Sequence, residues 1–469
     1  MFVVSRIIVL VCVLVIWNVD VCIGGEFETK GDQEDRKNKS AMILDLKSAG
    51  RTALGKNPDI DIAKARIQQA GEAVKIAMAS YYPDVSIQCS VDNNRMSGSA
   101  HDKNKALASI TGSDINNPEM NYNAGLSITW IIFNGFGRKY NYIKQASALS
   151  MSQYKQFDSE RVLLSAVSQS YYTAQLAREN IDIARADGFF YSRQLEDANA
   201  RNIAGTGSLS DVINFQVRGH SAEAEIIRAE YEYEAAMSAL AALMGYQMAV
   251  FPVETTLAGL EYNNASLLNV PDMALLTENA FENRPDIREY KYALLMAESS
   301  VSIEKSQFLP IVWMEGTVGG SRAEDAAFRQ DDIGNSVSLN VSCNLFSGGA
   351  NRASLKRARA LYREKQRLFE WLKIQIRSEI KQSFVELESS LQQYSLYKRN
   401  ALLVKQNRAL VEMEYRAGKC SLVRLNEAQR DYTATRNRMA LAFVSTCQAR
   451  FRLDAVTGNI RRLFKKEGI

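Results

Sequence analysis

Histidine, proline and cysteine are all scarce in this 469-residue chain: His 2, Pro 7 and Cys 6. Two histidines leave almost nothing for a histidine-based triad or a multi-histidine metal site. Of the cysteines, Cys89, Cys343, Cys420 and Cys447 lie beyond the N-terminal region, without a CxxC pair or regular spacing. Neither a zinc site nor a disulfide framework is signalled. Lys+Arg 57 against Asp+Glu 53 leaves a net charge of only +4, which argues against nucleic acid as a partner. After the N-terminus no apolar run is long enough for a membrane helix. No HExxH, nucleophile elbow or paired-carboxylate motif appears, and no catalytic group, metal or cofactor is expected. The 46% apolar and 23% charged composition is that of an ordinary folded protein, not a disordered or collagen-like one.

The prolines matter by placement. None lies between Pro118 and Pro252, and none follows Pro310. Proline in a helix interior costs roughly 3 kcal/mol, so these gaps accommodate very long helices. From Phe136 to Ala204, beyond Gly137, the only glycine is Gly188; from Ala350 to Ala417 there is neither glycine nor proline. Each stretch of about 68 residues spans roughly 100 Å as a helix. Coiled-coil packing accounts for that length: Ile376, Ile380, Ser383, Leu387, Ser390 and Tyr394 are spaced 4,3,4,3,4.

The N-terminus has Arg6, an apolar run from Ile7 to Trp17, then Gly24 and Gly25. This predicts a secretory signal peptide over 1–25, followed by a charged segment over 26–40. Val21, where a small residue is needed, argues against lipid on Cys22.

An internal repeat organises the rest. Pro58-Asp59-Ile60 recurs as Pro285-Asp286-Ile287, and the same offset of 227 relates Pro83 to Pro310. Further on, an offset of 213 relates Phe133 to Phe346, Gly135 to Gly348, Gly205 to Gly418, Gln216 to Gln429 and Gly245 to Gly458. Two copies of one unit are expected, 41–250 and 272–460, joined by a linker over 251–271 and followed by a tail over 461–469. Within each copy, apolar and polar residues alternate in two stretches. Val85, Ile87, Cys89 and Val91 mark the first strand and Ala124, Leu126, Ile128, Trp130 and Ile132 the second. Val312, Met314, Gly316, Val318 and then Val337, Leu339, Val341, Cys343 and Leu345 repeat the pattern. Strands are expected at about 83–96, 121–133, 310–320 and 335–346, and long helices at about 136–204 and 350–417. These strand lengths suit a tilted membrane crossing. An ordinary half-buried hairpin alternates in the same way; the secretory signal and the lack of a local second layer favour the membrane. Each long helix ends in a glycine turn, Ala204 to Ser208 and Ala417 to Ser421, where Gly205 and Gly418 suit left-handed caps. Ser208 or Ser210, and Ser421, suit caps of the returning helices.

This order, the paired Pro-Asp-Ile segments, the Tyr-Tyr-Pro and Phe-Leu-Pro leads into the first strands, Phe133-Asn134-Gly135 with Phe346-Ser347-Gly348-Gly349, and the glycine turns resemble the TolC-like outer-membrane efflux protein family. The resemblance runs from about Ala41 to Arg462. It implies an α-helical barrel joined to a transmembrane β-barrel, completed as a homotrimer with four strands per chain. The implied function is a passive exit duct of a tripartite efflux or type I secretion system, located in the outer membrane with a periplasmic tunnel. Its implied partners are a periplasmic adaptor, an inner-membrane pump or ABC exporter, and outer-membrane lipid. Segments Gly98 to Asn117 and Ser321 to Asp332 become extracellular loops. A periplasmic coiled-coil structural protein without a pore is the rival reading.

The resemblance also places Asp211 and Tyr415 in a network closing the helix tips. A surface acid near a helix start would equally suit Asp211. Cys420 replaces a basic residue of that network. Arg424 and Glu427 occupy the positions that ring the entrance with acids in relatives, and Arg424 would offset Glu427 unless it faces a neighbouring helix. The turns Gly205, Thr206, Gly207, Ser208 and Gly418, Lys419, Ser421 would meet the adaptor, although glycine there also simply permits the turn. His220 and His101 are read as a helix-surface or packing residue and a loop residue.

Overall fold

The computed structural model describes residues 42–111, 117–252, 254–262, 272–323 and 325–464. The expected signal peptide, Cys22, the charged segment and the ends of the linker and tail lie outside these residues. The chain groups into two compact units. A strand-rich unit comprises Glu72–Ala146 and Met296–Tyr362. A helical unit comprises Lys37–Gly71, Ser147–Leu295 and Arg363–Ile469, in both cases as far as described.

The elements run β1 (Met42–Leu44), α1 (Leu46–Lys56), α2 (Pro58–Ala79), β2 (Asp84–Asn94), α3 (Gly98–Thr111), β3 (Glu119–Asn134), α4 (Gly137–Ile203) and α5 (Leu209–Leu243). There follow β4 (Thr255–Leu257), α6 (Met273–Asn283), α7 (Pro285–Ser306), β5 (Ile311–Ala323), a short 3-10 turn (Gln330–Asp332), β6 (Ile333–Ser342), α8 (Ala350–Arg416), α9 (Leu422–Val456) and α10 (Ile460–Phe464). Helix lengths agree in pairs: 11 residues in α1 and α6, 22 in α2 and α7, 67 in α4 and α8, 35 in α5 and α9.

Local chemistry sets the helix ends. Asp45 caps α1 by accepting from Ser48 N–H at 3.2 Å, and Asp272 caps α6 by accepting from Ala274 N–H at 2.9 Å. Pro58 and Pro285 open α2 and α7, where the missing N–H costs no helical bond. In the helical unit, the six seam residues from Ile376 to Tyr394 are all buried. Ile376, Ile380 and Leu387 pack with Leu276, Ile287 and Leu453, which joins α8 to α6, α7 and α9.

Related contacts recur at the repeat offsets. Asn57 Nδ2 donates to the Leu243 carbonyl at 2.9 Å, and the Arg284 guanidinium donates to the Val456 carbonyl at 3.0 Å. Gly245 and Gly458 both have positive φ, 84° and 78°. A Cβ on the first would meet the Lys56 carbonyl and on the second the Asn283 carbonyl, so the chain passes too closely for any side chain. The copies differ in charge. Arg284 is buried and bound by Asp286 at 2.6 Å and Glu379 at 2.7 Å; Asn57 holds its place in the first copy.

In the strand unit, four strands form one antiparallel sheet in the order β2-β3-β5-β6, so the central β3–β5 pair joins the two halves of the chain. Paired positions share a face. One face carries Val85, Ile128 and Val337 in one row, with Ile87, Leu126 and Val318 in the next. The other carries Ser86, Ser127, Thr317 and Ser336 in a single row, with hydroxyl pairs at 2.7 Å between Ser86 and Ser127 and between Thr317 and Ser336. The adjoining row is Gln88, Gly125, Gly319 and Gly334. A Cβ on Gly319 would lie 2.7 Å from the Ala124 carbonyl oxygen.

Three expectations are corrected. The second-copy alternation through Cys343 and Leu345 outruns the strand, because β6 ends at Ser342 opposite Ile311 and Pro310 has no N–H to extend the ladder. Residues 98–111, expected as loop, form helix α3, favoured by the Ala-Leu-Ala run after Lys105. The linker region contributes β4, which pairs in parallel with β1. Long-range side-chain bonds fix this small sheet: Tyr171 Oη donates to the Leu44 carbonyl at 3.1 Å and Gln175 Nε2 to the Ala258 carbonyl at 2.8 Å.

Candidate functional site

The ends of the long helices in the helical unit form the first site. At the end of α4, Gly205 N–H donates to the Asn202 carbonyl and Thr206 N–H to the Arg201 carbonyl. At the end of α8, Gly418 N–H donates to the Tyr415 carbonyl and Lys419 N–H to the Glu414 carbonyl. These crossed bonds are the Schellman closure, which places the glycine in the left-handed region, with φ of 72° and 73°. Ser208 then caps α5 by accepting from Ser210 N–H at 3.1 Å, and Ser421 caps α9 by accepting from Arg424 N–H at 3.4 Å. Of the two serines offered for the first cap, Ser208 fills the role.

Beside the turns the four helices share an aromatic core of Phe190, Tyr191, Phe215 and Tyr415 with Val212, Val411 and Leu425. Tyr415 Oη donates to Asp211 Oδ2 at 3.1 Å, so the structure brings these two candidates together. The Arg201 guanidinium lies 5.3 Å from the Tyr415 ring centre. Burial, followed by the Asp211 charge, pushes the Tyr415 hydroxyl up to about 12, and it stays a neutral donor at physiological pH. Cys420 packs at the edge of the same core with its thiol 3.5 Å from the Val411 carbonyl.

The other tip candidates lie apart from that pair. Arg424 and Glu427 are both exposed on the chain, and neither takes part in an ion pair among the described residues. Glu427 lines a cleft of about 600 Å³ between α5 and α9, together with Asn214, Arg218, Asn426 and Arg430.

Several cross-links between the α4–α5 and α8–α9 hairpins were not singled out from sequence. Gln429 Nε2 donates to Asp187 Oδ1 at 2.6 Å, and Thr433 Oγ1 donates to the same oxygen at 2.9 Å. Gln194 Nε2 donates to Glu412 at 3.3 Å, Asn426 Nδ2 donates to Asn214 at 3.0 Å, and Arg416 pairs with Asp197 at 3.7 Å. Arg408 ties this network together, donating to Gln429 at 2.9 Å and pairing with Glu412 at 3.2 Å. Gln429 is 2% exposed and Gln194 1%. The available signal was a polar residue interrupting an apolar seam. Gln216 and Gln429 match at the repeat offset, and of the two only Gln429 is buried.

The sheet of the strand unit is the second site. Its polar face lines a concavity of about 670 Å³ that includes Gln88, Ser127, Thr317 and Ser336. The apolar face, with Val85, Ile87, Val337 and Leu339 exposed, is on the other side. Among the described residues, strands β2 and β6 each have only one neighbour, leaving two unpaired edges. Trp130 Nε1 donates to the Tyr81 carbonyl at 2.9 Å, and Arg138 lies 4.9 Å from the Tyr81 ring, an amphipathic cluster at the strand end nearest the long helices. An exposed apolar face opposite a polar hollow is the two-sided pattern of a membrane barrel wall.

The sequence matches the outer membrane efflux protein family over residues 49–246 and 276–459. The chain belongs to that family. It is an outer-membrane protein of the efflux and secretion class, and the pore-free coiled-coil reading is set aside. Among relatives, the pyoverdine export outer membrane protein OpmQ of Pseudomonas aeruginosa is 25% identical over 86% of this chain and 83% of its own. The alkaline protease secretion protein AprF of the same species is 28% identical over 42% of this chain and 40% of its own. The crystal structure of the CmeC outer membrane channel of Campylobacter jejuni shares the fold, with a TM-score of 0.76, 16% identity and coverage of 92% of this chain and 90% of that one.

Proposed function

We propose that three copies of this chain form a passive exit duct, recruited by a periplasmic adaptor and an inner-membrane pump or ABC exporter. The supporting observation is the four-stranded sheet with one apolar face, one polar hollow and two open edges. Unpaired backbone groups are not tolerated in lipid, and four strands are too few to close alone. Joining β6 of one copy to β2 of the next removes every edge and yields twelve strands. Helices of 67 residues, roughly 100 Å long at 1.5 Å per residue, supply the periplasmic tunnel.

The matched helix lengths and the related contacts at offsets of 227 and 213 support a duplicated unit as the building block of the wall. Closure at the tip belongs to the network between the two helical hairpins, with Asp211–Tyr415 as its outermost bond. Gln194 Oε1 and Asn426 Oδ1 are buried without a partner. A network with orphan acceptors holds its state less firmly than a fully satisfied one, which suits a gate that an adaptor must open. Opening is then a two-state realignment of the hairpins, biased by whatever binds the turns at Gly205–Ser208 and Gly418–Ser421.

Purification in neutral detergent tests the duct directly. The reading expects a trimer whose migration on gels shifts with heating, as a closed barrel resists detergent in the cold. A monomer with no heat-dependent shift would overturn it.

A further inference from the structure

We propose that the first turns of α8 form a basic stripe that binds the anionic phospholipid headgroups of the leaflet facing the periplasm. The proposal rests on the duct reading, which sets the membrane at the strands and the periplasm at the long helices. Arg352, Lys356, Arg359 and Arg363 are spaced 4,3,4 and so fall on one face of the helix, with Arg357 beside them. All five are exposed, and none takes part in an ion pair among the described residues. Glu364, the one acid between Arg352 and Arg367, lies against Lys365 at 3.7 Å.

Position separates this stripe from an ordinary solvated face. It begins ten residues after Ser342, the last residue of β6, and rises along roughly the first 20 Å of the helix. Between strand and stripe stand Leu345 and Phe346, 93% and 86% exposed. Exposed apolar residues followed six residues later by cations outside any ion pair form a juxtamembrane pattern: the first suit the acyl boundary and the second the phosphates above it. The other copy does not repeat it. At the offset of 213, Lys139 matches Arg352 and Lys144 matches Arg357, but Ile143, Ala146 and Ser150 stand where Lys356, Arg359 and Arg363 do, so three of the five cations are lost. The charge is therefore not demanded by the shared fold, and in a trimer it makes three separated stripes.

The test uses the full chain and the variant R352Q/K356Q/R359Q/R363Q, both purified in neutral detergent. The melting temperature of the heat-shifting species is followed after adding phosphatidylglycerol, phosphatidylcholine or free glycerol phosphate. For the native chain, phosphatidylglycerol is expected to raise it by several degrees over phosphatidylcholine. That rise should disappear in about 1 M salt, where the Debye length is about 3 Å. The variant should match the native chain in phosphatidylcholine and lose most of the phosphatidylglycerol rise. Bound phospholipid measured on the native chain before and after a salt wash gives a second readout that does not depend on the variant; lipid lost in the wash supports the proposal, and unchanged lipid counts against it. An equal rise in the variant overturns the proposal. So does a rise produced by glycerol phosphate, which would make the site one for soluble anions, or an altered anion-to-cation permeability in the variant, which would place the stripe in the pore. If the native chain shows no heat-shifting species at all, the duct reading fails first and this proposal with it.

Discussion

In the proposed duct, Tyr415 serves both packing and gating. Its ring lies in the tip core beside Phe215, at a centroid distance of 6.2 Å, while its hydroxyl reaches Asp211 on the other hairpin. A hydrogen bond to a charged acceptor contributes about 1.5–3 kcal/mol. Tyr415→Phe removes that bond but keeps the ring, so conductance should rise without a large loss of thermal stability. Burial of the hydroxyl, followed by the Asp211 charge, is expected to make the tip sensitive to alkali. The hydroxyl titrates near 12 in the closed tip against the ordinary 10, so the closed form holds its proton more tightly. The stabilisation is complete below pH 10 and is lost as pH rises from 10 to 12, because the released phenol sheds its proton first. Conductance of the native duct should climb across that window, while Tyr415→Phe should be flat there. Arg284 plays a purely structural part. Arg284→Ala would leave Asp286 and the Val456 carbonyl without their partner and cost about 3–5 kcal/mol, seen as a lower melting temperature with conductance per channel unchanged.

Among the elements, strands and long helices were legible in the sequence because one physical period governs each for many residues. Alternation gave both faces of the sheet, and missing prolines marked the helices. The errors fall where a partner decides. Strand β6 stops when β5 has no further N–H to offer, which no pattern within 333–346 announces. Strands β1 and β4 are three residues each and exist through pairing with one another, so neither has a period to read. At the tips, Asp211 and Tyr415 were reached through resemblance, and Asp187, Gln194, Arg408 and Gln429 were missed because their meaning lies in a contact between hairpins. The row of Gly125, Gly319 and Gly334 makes a sharper demand than any of these. Gly319→Val would drive a side chain onto the Ala124 backbone, and is expected to abolish the heat-shifting trimer while leaving the helical signal in circular dichroism largely intact.

For the whole molecule, the scarcity of proline fits the two uninterrupted helices of 67 residues. Its apolar residues are divided between an exposed sheet face and seams between helices. The two halves of the chain provide four strands, and in the proposed duct closure of the wall falls to assembly. In the proposed duct, gating falls to a few polar bonds between hairpins. The most direct test is the conductance of single channels in planar bilayers, comparing the native protein with the double variant D211A/Y415F. The account predicts a narrow, low-conductance native channel and a conductance several-fold higher in the variant. Equal conductance in the two, or no channel in either, would contradict it.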